Sequence, residues 1–424
     1  MSRPTVSERI RQTVRLVGKE GSASVARRIA ERGLEHLPAA DCYRQLSIDR
    51  DDLMRVAEIA AGGWSPPERL PALPGEPLTV AWVCYAPGEG SGGHTTLFRM
   101  VSALERAGHR CIVYLRDDHG WSLDQHRRTI RQCWPMVQAE IRDLADGIED
   151  AHAVFATSWQ TAYPVLASPA KGARLYFVQD FEPAFYPAGS EAFLAEATLR
   201  FGFHAITAGS WLSELLRRQY GMAAEHFDFG CDIDCYRLDR SAGARSRRTG
   251  VCYYCRPSTP RRGHELAVMA LDLFARRHPE IEIHLYGETT KSLPFEAIDH
   301  GVLSPTALVE LYNRCAAGLV LSATNVSLVP YEMLACGCIP VVNDAEHNRL
   351  VLDNPEVVYV QPTPFELAQT LCALVERSID ERAVDADRAA ASVQSRSWEA
   401  AGTVVEQAVR SVVCAGVEAD LIPA

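Results

Sequence analysis

"LTVAWVCYAPGEGSGGHTTLFRMVSALERAGH", Leu78 to His109, joins an apolar run, a glycine loop and a helical pattern in one short stretch. Residues 78–86 are apolar without alternation, as a strand covered on both faces requires. The loop Gly88–Gly93 follows. Leu97, Val101 and Leu104 then share one helical face, with Gly108 as the stop. The unit recurs downstream. "CIVYL", "AHAVFAT", "ARLYFVQD" and "FHAITAG" are further short apolar runs, separated by helical patterns. Strands alternating with helices predict a parallel sheet with both faces covered.

A break falls in "DRSAGARSRRTG" (239–250), after which the alternation restarts with "VCYYCR", "IEIHLYG", "GLVLS" and "CIPVVN". A chain of 424 residues exceeds what one core usually supports. The expected fold class is therefore α/β, with two Rossmann-like doubly wound domains facing a central cleft and a helical N-terminal extension. Residues 1–77 are read as extension and linker, the Pro- and Gly-rich "GGWSPPERLPALPGEP" being the linker. Residues 78–240 and 247–395 are the two domains, and 396–424 a C-terminal helix. Ligands of such folds bind at the carboxyl ends of the strands.

Composition narrows the function. At 47% hydrophobic and 23% charged, the chain has an ordinary globular balance. A formal net charge of -11 argues against general nucleic-acid binding. Residues 1–40 carry eight Lys/Arg against four Asp/Glu with helical spacing, and either pack on the body or lie along a membrane surface. No apolar stretch is long enough to span a bilayer, and "MSRPTVSERI" lacks a secretory core, so a cytoplasmic location is expected, at most peripheral to a membrane. The thirteen cysteines are scattered through apolar segments and read as reduced core residues. Cys252 and Cys255 form a CxxC, but on a strand they point to opposite faces, which argues against joint metal ligation.

Three motifs carry chemistry. "GEGSGG" fits GxGxxG between a strand and a helix, where backbone can approach a diphosphate. With Asp117–Asp118 ending the next strand, it also suits an NAD(P)-dependent oxidoreductase. "RPSTPRRGHEL" concentrates Arg256, Arg261 and Arg262 at a strand–loop–helix junction, where guanidinium groups would meet phosphate. Arg262 is expected to be a solvated surface residue. In "NVSLVPYEMLACGCIPVV", Glu332 falls in the first turn of a short helix that Gly337 and Pro340 end before a strand-like run. It either complements the helix dipole or binds ligand hydroxyls, while small polar residues from Ser322 to Ser327 leave backbone N–H groups free for phosphate. The DxD of Asp232 to Asp234 sits in the domain junction and reads as structural.

The order of these motifs over roughly residues 78–410 resembles the two-Rossmann-domain (GT-B) glycosyltransferases, specifically retaining family 4. "GSGGH", "ITAGSWLSELL", "FGCDIDCY", "RPSTPRRGHEL", "SPTALVELYNRCAAGLVLS", "NVSLVPYEMLACGCIPVV" and "SWEAAGTVVEQAV" are similar to family motifs in sequence order. The resemblance implies metal-independent transfer of a sugar, without cofactor and with retention, from a nucleotide-sugar to a glycan or lipid-linked acceptor. It places Arg256 and Arg261 on the diphosphate and Glu332 on the nucleotide ribose. It assigns donor contacts to Asn325, Val326, Ser327 and Leu328, and the base to backbone at Val302–Leu303. Gly92, Gly93, His94 and Asp180 fall on the acceptor side, with Asp180 as an acceptor-orienting group or base. Two departures stand out. Thr324 replaces the family's sugar-contacting glutamate, and Gln179–Asp180 replaces a His-Asp pair. Both resemble the rhamnosyltransferase branch of bacterial surface-polysaccharide (O-antigen) synthesis, which implies dTDP-rhamnose as donor. Thr324 equally suits a nucleotide-sugar-binding subunit without turnover.

Overall fold

The computed structural model describes residues 46–62, 65–73, 75–88, 90–241, 243, 248–290 and 292–420. The basic pair expected over residues 1–40 lies outside the described residues. The chain falls into two compact units, Met1–Glu58 and Ile59–Ala424. Helix α1 (Arg50–Gly62) starts in the first, with Asp51 and Asp52 in its opening turn, where acids complement the helix dipole. No helix among the described residues is long and apolar enough to cross a membrane.

The second unit contains two parallel sheets. The first is built from β1 (Thr79–Tyr85), α2 (Gly92–Arg106), β2 (Arg110–Arg116), α3 (Leu123–Cys133), β3 (Glu140–Asp143), β4 (Ala153–Ala156), α4 (Trp159–Ala167), β5 (Ala173–Val178), α5 (Ser190–Thr198), β6 (His204–Ala208), α6 (Ser210–Tyr220) and β7 (Ala224–Phe227). Its strand order is β3-β2-β1-β4-β5-β6-β7. The second comprises β8 (Gly250–Cys255), α7 (His264–Arg277), β9 (Ile283–Gly287), β10 (Ile298–Asp299), α8 (Pro305–Arg314), β11 (Cys315–Val320), α9 (Val329–Ala335), β12 (Ile339–Asn343), α10 (Glu346–Leu352) and β13 (Val358–Val360). Its order is β10-β9-β8-β11-β12-β13. Helices α11 (Pro364–Val375), α12 (Ile379–Ser392) and α13 (Trp398–Asp420) complete the unit. In each sheet the winding reverses beside the first strand, between β1 and β4 and between β8 and β11, which opens a crevice at the strand ends.

The apolar runs form the sheet centres. Trp82 on β1 is fully buried and stacks on Phe155 of β4 at 4.0 Å. Cys252 and Cys255 face separate hydrophobic layers of the second sheet, as strand geometry demands. Pro340 lies inside β12, opposite Gly318 of β11, and pairing with β13 starts only at Val341. Its missing N–H therefore falls where no ladder bond is needed on that side. Gly337, at φ +74, ends α9, and a side chain there would strike Ala386.

Gly62 of the expected linker ends α1, and the described residues 65–73 and 75–77 are irregular but tied down. Arg69 donates to the Val412 carbonyl (2.7 Å), Gly172 N–H to the Glu68 carbonyl (2.8 Å) and Arg410 to the Glu76 carbonyl (3.0 Å). The Gly108–His109 pair has a related task. His109 Nδ1 accepts from Leu78 N (2.9 Å), which leaves Nε2 to meet Glu406 on α13 (3.2 Å). Helix α13 rests on α2 where Gly402 meets Ala103, and a Cβ at Gly402 would lie 2.5 Å from the Ala103 Cβ. Gly402→Leu is expected to cost about 1–3 kcal/mol by overpacking. Chemical denaturation checks this, and an unchanged midpoint would show that α13 is not held closely there.

Candidate functional site

Loops from both sheets enclose one cavity of about 790 Å³, within the usual range for small-ligand sites. Gly90 follows β1, Thr157 follows β4, Gln179 follows β5, Arg256 follows β8, Glu288 follows β9 and Ser327 follows β11; all line it. The cavity thus occupies both winding reversals at once. Arg256 and Glu332, 76 positions apart, open onto the same space.

On the second domain, Arg256 leaves the end of β8. Its Nη1 donates to Tyr254 Oη (3.1 Å), and its Nε lies 2.9 Å from Glu288 Oε1. Arg261 reaches across to the first domain. Its guanidinium lies 4.0 Å over the Phe185 ring, with Nε 3.3 Å from Asp180 Oδ2. Arg262 departs from the surface role expected of it. It also lines the cavity, and Nη1 donates to Ser322 Oγ (2.7 Å), bracing the loop before α9. Burial lowers its pKa; a guanidinium stays charged there only because the loop supplies acceptors.

Glu332 sits in the first turn of α9 and lines the cavity. Burial, and secondarily the charge of Asp232, pushes its carboxyl up to about 7, against the Tyr236 hydroxyl that bonds it and the more distant Arg99. Dipole stabilisation alone would have lowered that value. Within the DxD, Asp232 takes both terminal nitrogens of Arg99, which in turn lies over Trp398. Val302, Leu303, Val326, Ser327 and Leu328 line the cavity. Ser327 Oγ is buried without a hydrogen-bond partner among the described residues.

Four expected placements need correction. Helix α2 begins at Gly92, so Gly92 and Gly93 form its first turn rather than a preceding loop; both line the cavity with Gly90. His94 turns away, with Nδ1 on Ser91 Oγ (2.8 Å) and Nε2 on the Tyr85 carbonyl (3.0 Å). Burial lowers its pKa, so it fastens the glycine turn as a neutral ring. Asn325 is buried and does not line the cavity; its Nδ2 donates to the carbonyls of Gln179 and Ala208, both 2.8 Å away in the first domain. Asp180 lines the cavity but is fully engaged: Oδ1 accepts from Asn325 N (2.8 Å) and Phe181 N (2.9 Å), Oδ2 from Thr324 Oγ1 (3.0 Å). These bonds make it a clasp between the two domains. Thr324 faces that clasp.

Asp117 is also occupied. It accepts from the backbone of His119 (3.0 Å) and Gly120 (2.9 Å) and meets His126 Nε2 at 2.8 Å. These bonds close a turn, and Asp117 does not line the cavity.

Several cavity residues were not singled out in the sequence, and Glu182 is the acidic one on the first domain. Glu182 opens a short 3-10 turn, Glu182–Phe185, and lines the cavity from the first domain. Its Oε2 accepts from Trp159 N–H and from Tyr176 Oη (3.4 Å). Burial, reinforced by Asp180, raises the carboxyl to about 8. Only the acid within "QDFEP" hinted at it.

A two-lobed α/β fold with a ligand-sized cleft between parallel sheets is the architecture of GT-B proteins, and the comparisons agree. TarM superposes with a TM-score of 0.65 at 8% identity, covering 79% of this chain and 99% of that one. Anabaena HepE, solved with UDP and glucose, gives 0.60 at 15% identity, covering 81% and 100%. At such identities the likeness establishes the fold. In sequence, residues 249–372 match the family described as WsaF, C-terminal domain. The chain is also 30% identical over 351 residues to the O-antigen biosynthesis protein RfbC of Myxococcus xanthus, 79% of this chain but 27% of that protein. The chain thus spans about a quarter of the length of this relative.

Proposed function

We propose that this chain is a glycosyltransferase of surface-polysaccharide synthesis, moving a sugar from a nucleoside diphosphate to a glycan or lipid-linked acceptor. The observation that carries the reading is the convergence of Arg256, Arg261 and Glu332 on one cleft, opposite the glycine turn Gly90–Gly93. The two guanidinium groups hold the diphosphate and stabilise it as it leaves. Glu332 accepts from a nucleotide ribose or deoxyribose hydroxyl, and the Val302–Leu303 edge receives the base. The acceptor lies against the first domain. The resemblance to RfbC and to the WsaF domain supports the polysaccharide context. Rhamnose from dTDP-rhamnose is the finer proposal, with retention and without a metal, the arginines carrying the phosphate charge. Calorimetric titration of dTDP against UDP, followed by turnover of the matching sugars with and without chelator, tests it. Absence of nucleotide binding would remove the reading, and loss of turnover with chelator would remove metal independence.

Glu332→Gln separates ligand binding from dipole capping. Removing a charge-assisted hydrogen bond is worth about 1.5–3 kcal/mol, so nucleotide affinity should fall about tenfold to a hundredfold. Stability should move the other way. The folded carboxyl titrates near 7 against an ordinary 4.5, so its burial costs nothing below the ordinary value and destabilises progressively as pH rises through about 7. The glutamine variant should therefore melt above the parent at pH ~8 and level with it at pH ~4.5. A variant less stable at the higher pH would restore the dipole role.

A further inference from the structure

We propose that Glu182 is the group that takes the proton from the attacking hydroxyl, an inference that rests on the transferase reading. Its backbone is fixed by the turn Glu182–Phe185, and Oε2 is fixed by Trp159 N–H and Tyr176 Oη. No hydrogen bond among the described residues holds Oε1, and the residue lines the cleft. One carboxylate oxygen is thus anchored and the other is left without a hydrogen bond among the described residues, on a residue that lines the cavity from the domain opposite Arg256 and Glu332. That is the geometry of a positioned base.

The neighbouring acid is less available, because both oxygens of Asp180 are held, by Thr324, Asn325, Phe181 and Arg261. The titratable and charged groups facing Glu182 are Tyr176 on β5, Asp180 after it, and Arg261 from the second domain. Burial and the Asp180 charge raise its proton affinity, and Tyr176 and Arg261 oppose them. A carboxyl titrating at about 8 binds a proton far better than an ordinary glutamate while keeping an ionised fraction near neutrality. In the step itself the acceptor oxygen bonds to the anomeric carbon while its proton passes to Oε1. The bond from that carbon to the diphosphate breaks, and its electron pair leaves with the phosphate oxygen.

The test uses the whole protein, a panel of UDP-, dTDP- and GDP-sugars, and water as acceptor, reading released nucleoside diphosphate. The unmodified protein should hydrolyse its donor at a rate that rises with pH and levels above about 8. Glu182→Gln still accepts from Trp159 N–H through its amide oxygen; it should lose about 10²-fold or more in kcat, keep KM within about twofold, and lose the rising limb. Glu182→Asp should recover part of kcat and retain a pH-dependent limb. A glutamine variant with the parent's kcat and pH profile overturns the assignment while leaving the transferase reading intact. A glutamine variant that loses rate but keeps the rising limb overturns it too, by making Glu182 a support for α4. No hydrolysis of any donor by the unmodified protein overturns both.

Discussion

Arg256→Ala is expected to lower kcat/KM for the nucleotide-sugar by about 10²–10³-fold, the usual cost of removing one preorganised group from developing charge. Stability should change by about 1 kcal/mol or less, because the side chain is about a third exposed (37%) and solvent screens its pair with Glu288. The loss has two parts. One is the guanidinium's own attraction for the diphosphate. The other is Glu288, whose carboxylate lies 2.9 Å from Arg256 Nε and also accepts from Ser258 N (2.9 Å) and Ser258 Oγ (2.6 Å). With the arginine gone, that carboxylate faces an anionic ligand uncompensated. The double variant Arg256→Ala with Glu288→Gln should therefore recover part of the lost affinity, seen as a lower KM than in the single variant. Arg256→Lys should recover less than its charge suggests, since an ammonium cannot grip a phosphate bidentately. Unchanged turnover in Arg256→Ala would place the diphosphate elsewhere.

The sheet centres were legible because strands covered on both faces must be apolar throughout, as in "TVAWVCY" and "VCYYC". The strands that escaped notice are β3, β7, β10 and β13, and each lies at an edge of its sheet. An edge strand has one neighbour, so segments such as "EIRD" and "AEHF" carry polar residues that leave no continuous run. The convergence of Arg256, Arg261 and Glu332 on one cavity was legible for a related reason, since each follows a strong strand or opens a helix, and the winding brings such ends together. Arg262 was misread because a charged residue beside two others looks solvated, and its acceptor, Ser322, lies 60 positions away. Asn325 was misplaced, and the contact of Thr324 went unseen, for the same cause. Their partners, Asp180, Gln179 and Ala208, belong to the other domain. Pairings at that separation leave no periodic trace in a single sequence.

Asp180→Ala should be the most destabilising single change in the cleft, at about 3–5 kcal/mol, the range for stripping one partner from a buried ion pair. Its side chain is 12% exposed, and both oxygens bind the second domain. Truncation would leave Arg261 against Phe185 alone and strand the Asn325 N–H, whose residue is 1% exposed. Unsatisfied groups of that kind cost more than the bonds themselves stabilised. Thr324→Val is the control: it deletes one hydroxyl, leaves the Asp180 carboxylate its remaining partners, and should cost about 1 kcal/mol. The contrast separates the two roles open to this acid. A clasp predicts that Asp180→Ala lowers the melting temperature well beyond Thr324→Val, and that Asp180→Asn, which keeps an oxygen for Asn325 N–H, falls between them. A base predicts full stability in both Asp180 variants and the loss of turnover alone. Thermal denaturation of the three variants decides it, and stability equal to the parent in Asp180→Ala would dismantle the clasp and reopen the acid's claim on the acceptor.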